Sequence, residues 1–203
     1  MKKYAVLHEP GDIVTLAGTR FVVLDVERRG SLPDSLFLLA LESVGASEFG
    51  SSNNYAESDL KKAVDKWLED MGKRGLDNAK LIPREIDLTT LDGSGCYGKL
   101  SVKAAPLTLD EAREYADIIP NAERWCWLAT GWSGPSKSDG DLALFVGSNG
   151  GWYGNYCSSS YGIRPALKIP SDLLLDSADK PDLSEVPTDT LLEEIRRRVV
   201  DKA

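Results

Sequence analysis

The feature of this sequence that most restricts its fold is the segment from Trp125 to Leu167, in which tryptophan and glycine are concentrated. Four of the five tryptophans lie within it: Trp125, Trp127, Trp132 and Trp152. The same segment contains Gly131, Gly134, Gly140, Gly147, Gly150, Gly151, Gly154 and Gly162. Glycine at this density beside aromatic residues indicates short strands joined by tight turns, and Leu142–Val146 is the clearest of these strands.

The segment ends in Gly162-Ile163-Arg164-Pro165-Ala166-Leu167, where three residues have predictable structural roles. Gly162 permits backbone conformations that other residues avoid, and Pro165 favours extended geometry at Arg164. Arg164 carries a planar guanidinium with five donors, which suits loop carbonyls or a carboxylate. We therefore predict that Gly162, Arg164 and Pro165 stabilise the fold, with Arg164 as a clamp. Direct contact between Arg164 and a ligand is the alternative.

Three apolar runs near the N-terminus predict strands, at Ile13–Leu16, Arg20–Val26 and Leu36–Leu41. They are rich in β-branched and aromatic residues, which suit a pleated surface. Ala17-Gly18-Thr19 joins the first two as a tight turn. Together the three runs predict an antiparallel meander.

Two helices are predicted downstream of this meander. Apolar residues from Leu60 to Met71 recur at helical spacing, with Ser58 as the N-cap and Gly72 as the end. Thr108-Leu109-Asp110-Glu111 is a capping box, in which the first and last side chains satisfy free backbone amides, and it opens a helix over 109–116. These elements predict an α+β fold with two helices against a twisted antiparallel sheet.

The sequence changes character towards its C-terminus. The stretch from Asp176 to Pro187 is polar and acidic with two prolines, which is typical of a linker. Residues 188–203 carry a narrow apolar stripe and predict an amphipathic helix. The predicted organisation is therefore a domain over 1–172, an acidic linker over 173–187 and a terminal helix over 188–203. That helix either folds back on the domain or joins a partner, including a second copy of the chain.

Composition limits the classes of partner and site. The net charge of −8 and pI near 4.8 disfavour nucleic acid and anionic membranes as partners. The N-terminal residues have no apolar run long enough for a signal peptide, so we expect a cytoplasmic protein, or one carried on an assembled particle such as a virion. We predict no cofactor and no metal. Asp139, Asp141, Asn149 and Asn155 offer the oxygen ligands that calcium prefers, but they are explained as turn-forming residues without calcium-site spacing.

Cysteine and histidine chemistry is sparse. Cys96, Cys126 and Cys157 form no CxxC pair, so a zinc or thioredoxin-like site is not expected. Three reduced thiols are the prediction, and a bridge between Cys126 and Cys157 stays open. His8 is the only histidine, and we predict a surface or strand-edge position for it with no catalytic role.

The order of these motifs resembles a known family. The strings GDIV…TRFVVLDV, FLLALESV, NNYAESDLKKAVDKWL, LTLDEAREY, WCWLATGWS and GIRPALKI occur in succession. They resemble an uncharacterised bacterial and phage domain family with a C-terminal Gly-(Val/Ile)-Arg-Pro-Ala-Leu signature. The resemblance covers about residues 9–170 and implies a C-type lectin-like fold, near formylglycine-generating enzymes and the variable proteins of diversity-generating retroelements. It also implies that the strand over 163–169 closes the sheet against the N-terminal strands. Ala129-Thr130 departs from the pair that family members commonly carry there.

The segment Ser148–Tyr161 has the composition of a recognition surface, because Tyr and Trp offer contact area while Ser, Asn and Gly offer adaptable hydrogen bonds. We predict that the chain binds a protein or glycan and is not an enzyme. The predicted ligand-binding residues are Trp132, Asn149, Trp152, Tyr153, Asn155, Tyr156, Ser158 and Ser160. By analogy with retroelement-diversified proteins, several of them would be exposed variable positions. The alternatives are an assembly domain that docks a partner through the terminal helix, and an enzyme related to formylglycine-generating enzymes.

Overall fold

The computed structural model describes residues 2–4, 8–29 and 32–177. Over these residues the chain has the predicted α+β character, with most of its regular structure in strands. The helices are α1 (Asp59–Lys73) and α2 (Leu109–Glu114). The strands are β1 (Lys2–Tyr4), β2 (Ile13–Leu16), β3 (Thr19–Arg29), β4 (Leu32–Ala40), β5 (Ala46–Glu48), β6 (Arg84–Asp87), β7 (Lys99–Val102), β8 (Ala104–Ala105), β9 (Cys126–Gly131), β10 (Leu142–Val146), β11 (Trp152–Tyr156), β12 (Ser160–Gly162), β13 (Ala166–Pro170) and β14 (Leu174–Ser177).

The larger sheet has seven strands in the order β1-β14-β2-β3-β4-β13-β8. Antiparallel pairing of β2 with β3 and of β3 with β4 confirms the predicted meander. Strand β13 pairs with β4, with Ala166 opposite Leu39, which confirms that the strand after the signature closes this sheet. The chain therefore returns to its N-terminal strands after residue 162.

The start of the predicted linker is part of this sheet. Residues 174–177 form β14, which pairs with both β1 and β2, so the linker prediction is wrong for these positions. Pairing with β2 supplies backbone hydrogen bonds that a polar sequence can provide as well as an apolar one. The rest of the predicted linker and the predicted terminal helix, residues 178–203, lie outside the described residues.

The second sheet has five strands in the order β11-β10-β9-β12-β5. Its pairs are antiparallel except for β12 beside β9, where Gly162 lies opposite Cys126 in parallel. The predicted antiparallel sheet corresponds to the larger sheet, whose pairs are all antiparallel, whereas a second sheet was not predicted. The parallel contact arises because β12 enters beside β9 from the turn after β11. Strands β6 and β7 form a separate pair.

The two helices begin where the sequence predicts. In α1, the Ser58 hydroxyl accepts a hydrogen bond from the Lys61 amide at 2.9 Å. In α2, Thr108 and Glu111 form the predicted capping box, and the helix ends two residues earlier than expected. The Leu109 amide also donates to the Thr130 hydroxyl of β9 at 2.9 Å, which fixes α2 against the second sheet.

Arg164 forms the predicted clamp. Its side chain is buried, with Nε donating to the Ala40 carbonyl at 2.9 Å and Nη1 donating to the Pro120 carbonyl at 3.1 Å. Gly162 is also structural, although the reason differs from the predicted backbone freedom, since its φ is not in the left-handed region. A Cβ atom there would lie 2.8 Å from both the Cys126 sulfur and the Ser43 hydroxyl, so Gly162 is required by space.

His8 lies inside the protein, so the prediction of a surface histidine is wrong. Only 5% of it is exposed, and its Nδ1 lies 3.2 Å from the Asp12 carboxylate. The turn that follows folds back on β3, where the Gly11 amide donates to the Val23 carbonyl at 2.8 Å.

No helix in the described part of the chain is long and apolar enough to cross a membrane.

Candidate functional site

The β10–β11 hairpin presents the predicted recognition residues, but on two opposite faces. The register pairs Phe145 with Tyr153 and Val146 with Trp152. Because successive strand residues point to opposite faces, Tyr153 and Asn155 lie on one face of β11, whereas Trp152 and Tyr156 lie on the other. The predicted set of residues therefore forms two separate surfaces.

On the first face, three aromatic rings are stacked. The ring of Phe145 lies between those of Trp125 and Tyr153, with centroid distances of 5.2 and 5.6 Å and interplanar angles of 24° and 28°. Phe145 is buried, whereas 48% of Trp125 and 45% of Tyr153 are exposed. The stack thus holds two large aromatic side chains at the surface in fixed orientations.

Two further rings support this stack from the interior. Tyr161 lies 4.7 Å from Phe145 and 4.7 Å from Trp127, between ring centroids. Trp127 is fully buried, and its indole N–H donates to the Ser47 carbonyl at 3.0 Å. Trp127 also packs edge-on against Phe49 of the main core. The exposed rings are therefore the outer end of an aromatic cluster that is continuous with the core.

The two asparagines of the predicted site hold this cluster in place. The Asn149 amide nitrogen donates to the Tyr153 hydroxyl at 2.8 Å, and its oxygen accepts from the Gly151 amide at 3.0 Å. The Asn155 amide nitrogen donates to the Tyr161 hydroxyl. These hydrogen bonds hold the hydroxyls of Tyr153 and Tyr161 and so fix the orientation of both rings.

A shallow open groove borders the stack. Its volume is about 410 Å³, and its walls include Trp125, Tyr161, Ser148 and Ser160. Glu123 and Arg124 form the far wall, and they also line an adjacent polar groove of about 460 Å³. An aromatic wall, hydroxyls, a carboxylate and a guanidinium therefore meet along one depression, which we name the aromatic groove.

Of the predicted ligand-binding residues, only Ser160 lines this groove. Trp132 packs directly over the Cα of Gly154, where a Cβ atom would overlap the indole ring. The guanidinium of Arg113 packs over the ring of Trp152, with Cζ 5.6 Å from the ring centroid. The side chain of Tyr156 is 59% exposed. These residues share the opposite face of β11. Ser158 is exposed in the turn that follows.

Sequence reasoning missed Trp125, Glu123 and Arg124. Trp125 precedes β9, all of whose residues are buried, and Trp127 two residues later is buried on the same side. The alternation of strand residues places both tryptophans on one face. Nothing in the sequence distinguishes the exposed tryptophan from the buried one, because the difference depends on where the sheet ends.

The cysteines are all free thiols, and the two in this half of the chain are buried. Burial raises the pKa of Cys126 to about 11 and that of Cys157 to about 12. Both thiols therefore remain protonated at neutral pH, which is unfavourable for a nucleophile. Among the described residues, no group of three or more His, Cys, Asp or Glu side chains is arranged to hold a metal ion.

No protein-family model, curated protein or solved structure matches this chain significantly.

Proposed function

We propose that this chain is a carbohydrate-recognition module with a C-type lectin-like fold, and that its binding surface is the aromatic groove. The observation that carries the proposal is the stack of Trp125, Phe145 and Tyr153, which keeps two half-exposed rings beside polar side chains. Two large rings held half-exposed around Phe145 form one apolar patch with polar side chains at its edge, which is the pattern of an interaction surface.

The groove has the chemistry that a sugar requires. The apolar C–H face of a pyranose ring packs on an aromatic face, and Trp125 offers the largest one. Sugar hydroxyls both donate and accept hydrogen bonds, so they match a carboxylate at Glu123, a guanidinium at Arg124 and hydroxyls at Ser148 and Ser160. The open shape of the groove favours a chain end or branch over an enclosed monosaccharide.

The fixed positions of the rings also favour recognition. Because the asparagine–tyrosine hydrogen bonds and the packing on Phe145 already orient the site, a ligand does not have to order it on binding. The protonated state of the buried thiols gives the enzyme alternative less support. The assembly alternative depends on residues 188–203, outside the described part of the chain.

The proposal is tested on a printed array of bacterial and mammalian oligosaccharides, followed by calorimetric titration of the best binder. Trp125→Ala should weaken binding by about tenfold or more, the range of a lost hot-spot contact. Tyr153→Ala should weaken it by less, because Tyr153 packs on Phe145 beside the groove and is not part of its walls. Circular dichroism and melting curves would verify that each variant is folded.

Tyr156→Ala is the matched control, because it removes an equally large exposed ring from the opposite face of the same strand. Its affinity should equal that of the unchanged protein. Absence of any oligosaccharide binder would refute carbohydrate recognition. If Tyr156→Ala and Trp152→Ala abolished binding while Trp125→Ala did not, the aromatic groove would be the wrong surface.

A further inference from the structure

A second, smaller cavity lies on the other side of the second sheet, between that sheet and α2. Its volume is about 80 Å³. Its walls are mainly apolar and include Ala112 of α2 and Leu107 just before it, together with Leu128 and Val146 of the sheet. Arg164 is part of the same wall.

Arg164 has one nitrogen without a hydrogen-bond partner. Its Nε and Nη1 are used by the clamp, but Nη2 is buried and makes no hydrogen bond. Only 6% of the residue is exposed. An unpaired buried donor is destabilising, and more so when it is charged.

The charge of Arg164 is also unmatched. Among the described residues, no carboxylate forms an ion pair with Arg164. The carboxylate of Glu42 is close enough to favour the charged form of Arg164, but it forms its ion pair with Arg20 at the surface. The Cys126 thiol lines the cavity, but burial raises its pKa to about 11, so it supplies no negative charge. Burial lowers the pKa of Arg164, since nothing compensates fully for its lost hydration.

The geometry points to a binding site for a small carboxylate with a short apolar tail, its carboxylate on Arg164 and its tail among the leucine and alanine side chains. This site lies on the opposite side of the sheet from the aromatic groove and does not depend on it. A carboxylate oxygen would accept from Nη2 and neutralise the buried cation, which is the pairing that guanidinium forms most strongly.

The size of the cavity restricts the ligand. Its volume of about 80 Å³ is several times what a single water needs, yet about half of the ~150 Å³ of an engineered cavity that takes up benzene. By the same measure a carboxylate group with about one further carbon fits inside, and a longer tail such as that of butyrate reaches the exposed side of the cavity at Trp152. Inorganic phosphate does not suit the walls, because its further oxygens would be buried without donors.

The test titrates the full chain with butyrate, butyramide and inorganic phosphate, by calorimetry and by tryptophan fluorescence. Trp152 lines the cavity, so its emission reports binding. Butyrate should bind about tenfold or more tightly than butyramide, which corresponds to one charge-assisted contact of about 1.4 kcal/mol. Equal affinity for the two, or no butyrate binding at millimolar concentration, would overturn the proposal.

Ala116→Phe locates the site, because Ala116 lines the cavity but is exposed, so a larger side chain blocks the cavity without disturbing the core. Butyrate affinity should fall by about tenfold or more, the scale of one lost good contact. Ala79→Phe, an exposed alanine outside the cavity, is the matched control and should bind butyrate normally.

A second variant protects the test against misfolding. Trp152→Ala removes the exposed wall of the cavity and should also weaken butyrate binding, while melting curves report folding. Unchanged butyrate affinity in both Ala116→Phe and Trp152→Ala, or phosphate binding equal to butyrate, would show a surface anion site and refute the assignment.

Discussion

The ion pair between Arg84 and Glu111 should control the stability of the region around α2. Arg84 is buried on β6, where its guanidinium pairs with Glu111 and donates to the Ala105 and Pro106 carbonyls, both at 3.1 Å. It also lies over the ring of Phe37, with Cζ 5.1 Å from the centroid. The same Glu111 accepts from the Thr108 amide in the capping box. One carboxylate therefore neutralises a buried cation and starts the helix.

Glu111→Ala should lower the free energy of unfolding by about 3–4 kcal/mol. Breaking a buried ion pair from one side costs ~3–5 kcal/mol, and the lower part of this range applies because the Glu111 side chain is 22% exposed. For a chain of this size the melting temperature should fall by roughly 6–16 °C. Urea unfolding followed by circular dichroism measures the free energy, and calorimetry measures the melting temperature.

Two controls separate charge from helix capping. Glu111→Gln keeps a hydrogen-bond acceptor for the Thr108 amide and removes only the charge. It should therefore lower the free energy of unfolding by about 1–2 kcal/mol. Glu114→Ala, at an exposed position of the same helix, should change stability by less than ~0.5 kcal/mol. In the double variant Arg84→Met/Glu111→Ala, the loss of unfolding free energy should be about 2 kcal/mol smaller than the sum of the losses in the two single variants. Simple additivity, or a cost below about 1 kcal/mol for Glu111→Ala, would refute the reasoning.

Three further predictions concern packing, thiols and pH. Gly154→Ala should lower the unfolding free energy by about 1–3 kcal/mol, because the new methyl overlaps the Trp132 ring; an unchanged urea midpoint would contradict this. With an aromatic disulfide reagent at pH 8, only Cys96 should react in the native protein, since burial raises the pKa of the other two thiols. All three thiols should react once the protein is unfolded in guanidinium. Rapid reaction of all three in the native protein would count against buried thiols. The hydrogen bond from Lys168 lowers the pKa of Glu27 below its ordinary value of 4.5, so its stabilisation is present above pH 4.5 and is lost as pH falls through the folded value. Glu27→Gln should therefore reduce the acid dependence of stability, measured as urea midpoints against pH; an unaltered slope would show that this pair contributes nothing.

Local sequence was sufficient for the helices and the meander. The caps at Ser58 and Thr108 act within one turn, so they were readable without knowledge of the rest of the fold. The strands of the meander are joined by short connections, which made their pairing predictable. The resemblance also correctly implied the pairing of β13 with β4.

The candidate site was only partly predictable. The composition of residues 148–161 predicted a recognition surface, but it grouped Tyr153 with Trp152 although they lie on opposite faces of β11. Alternation along a strand is visible in a sequence only once the strand has been recognised. The glycine-rich segment was recognised as turns and short strands, without a register.

The sequence by itself determined the α+β class and the helix boundaries to within two residues, and it favoured a clamp role for Arg164 over ligand contact, because each depends on local spacing or on the donor geometry of one side chain. Only the tertiary structure decided that β14 completes the larger sheet, that His8 is buried, and that Trp125 rather than Trp127 reaches the surface. It also decided that Arg164 retains an unpaired nitrogen beside a cavity. These outcomes depend on contacts between residues far apart in the chain, and such contacts are set by how the two sheets and α2 pack together.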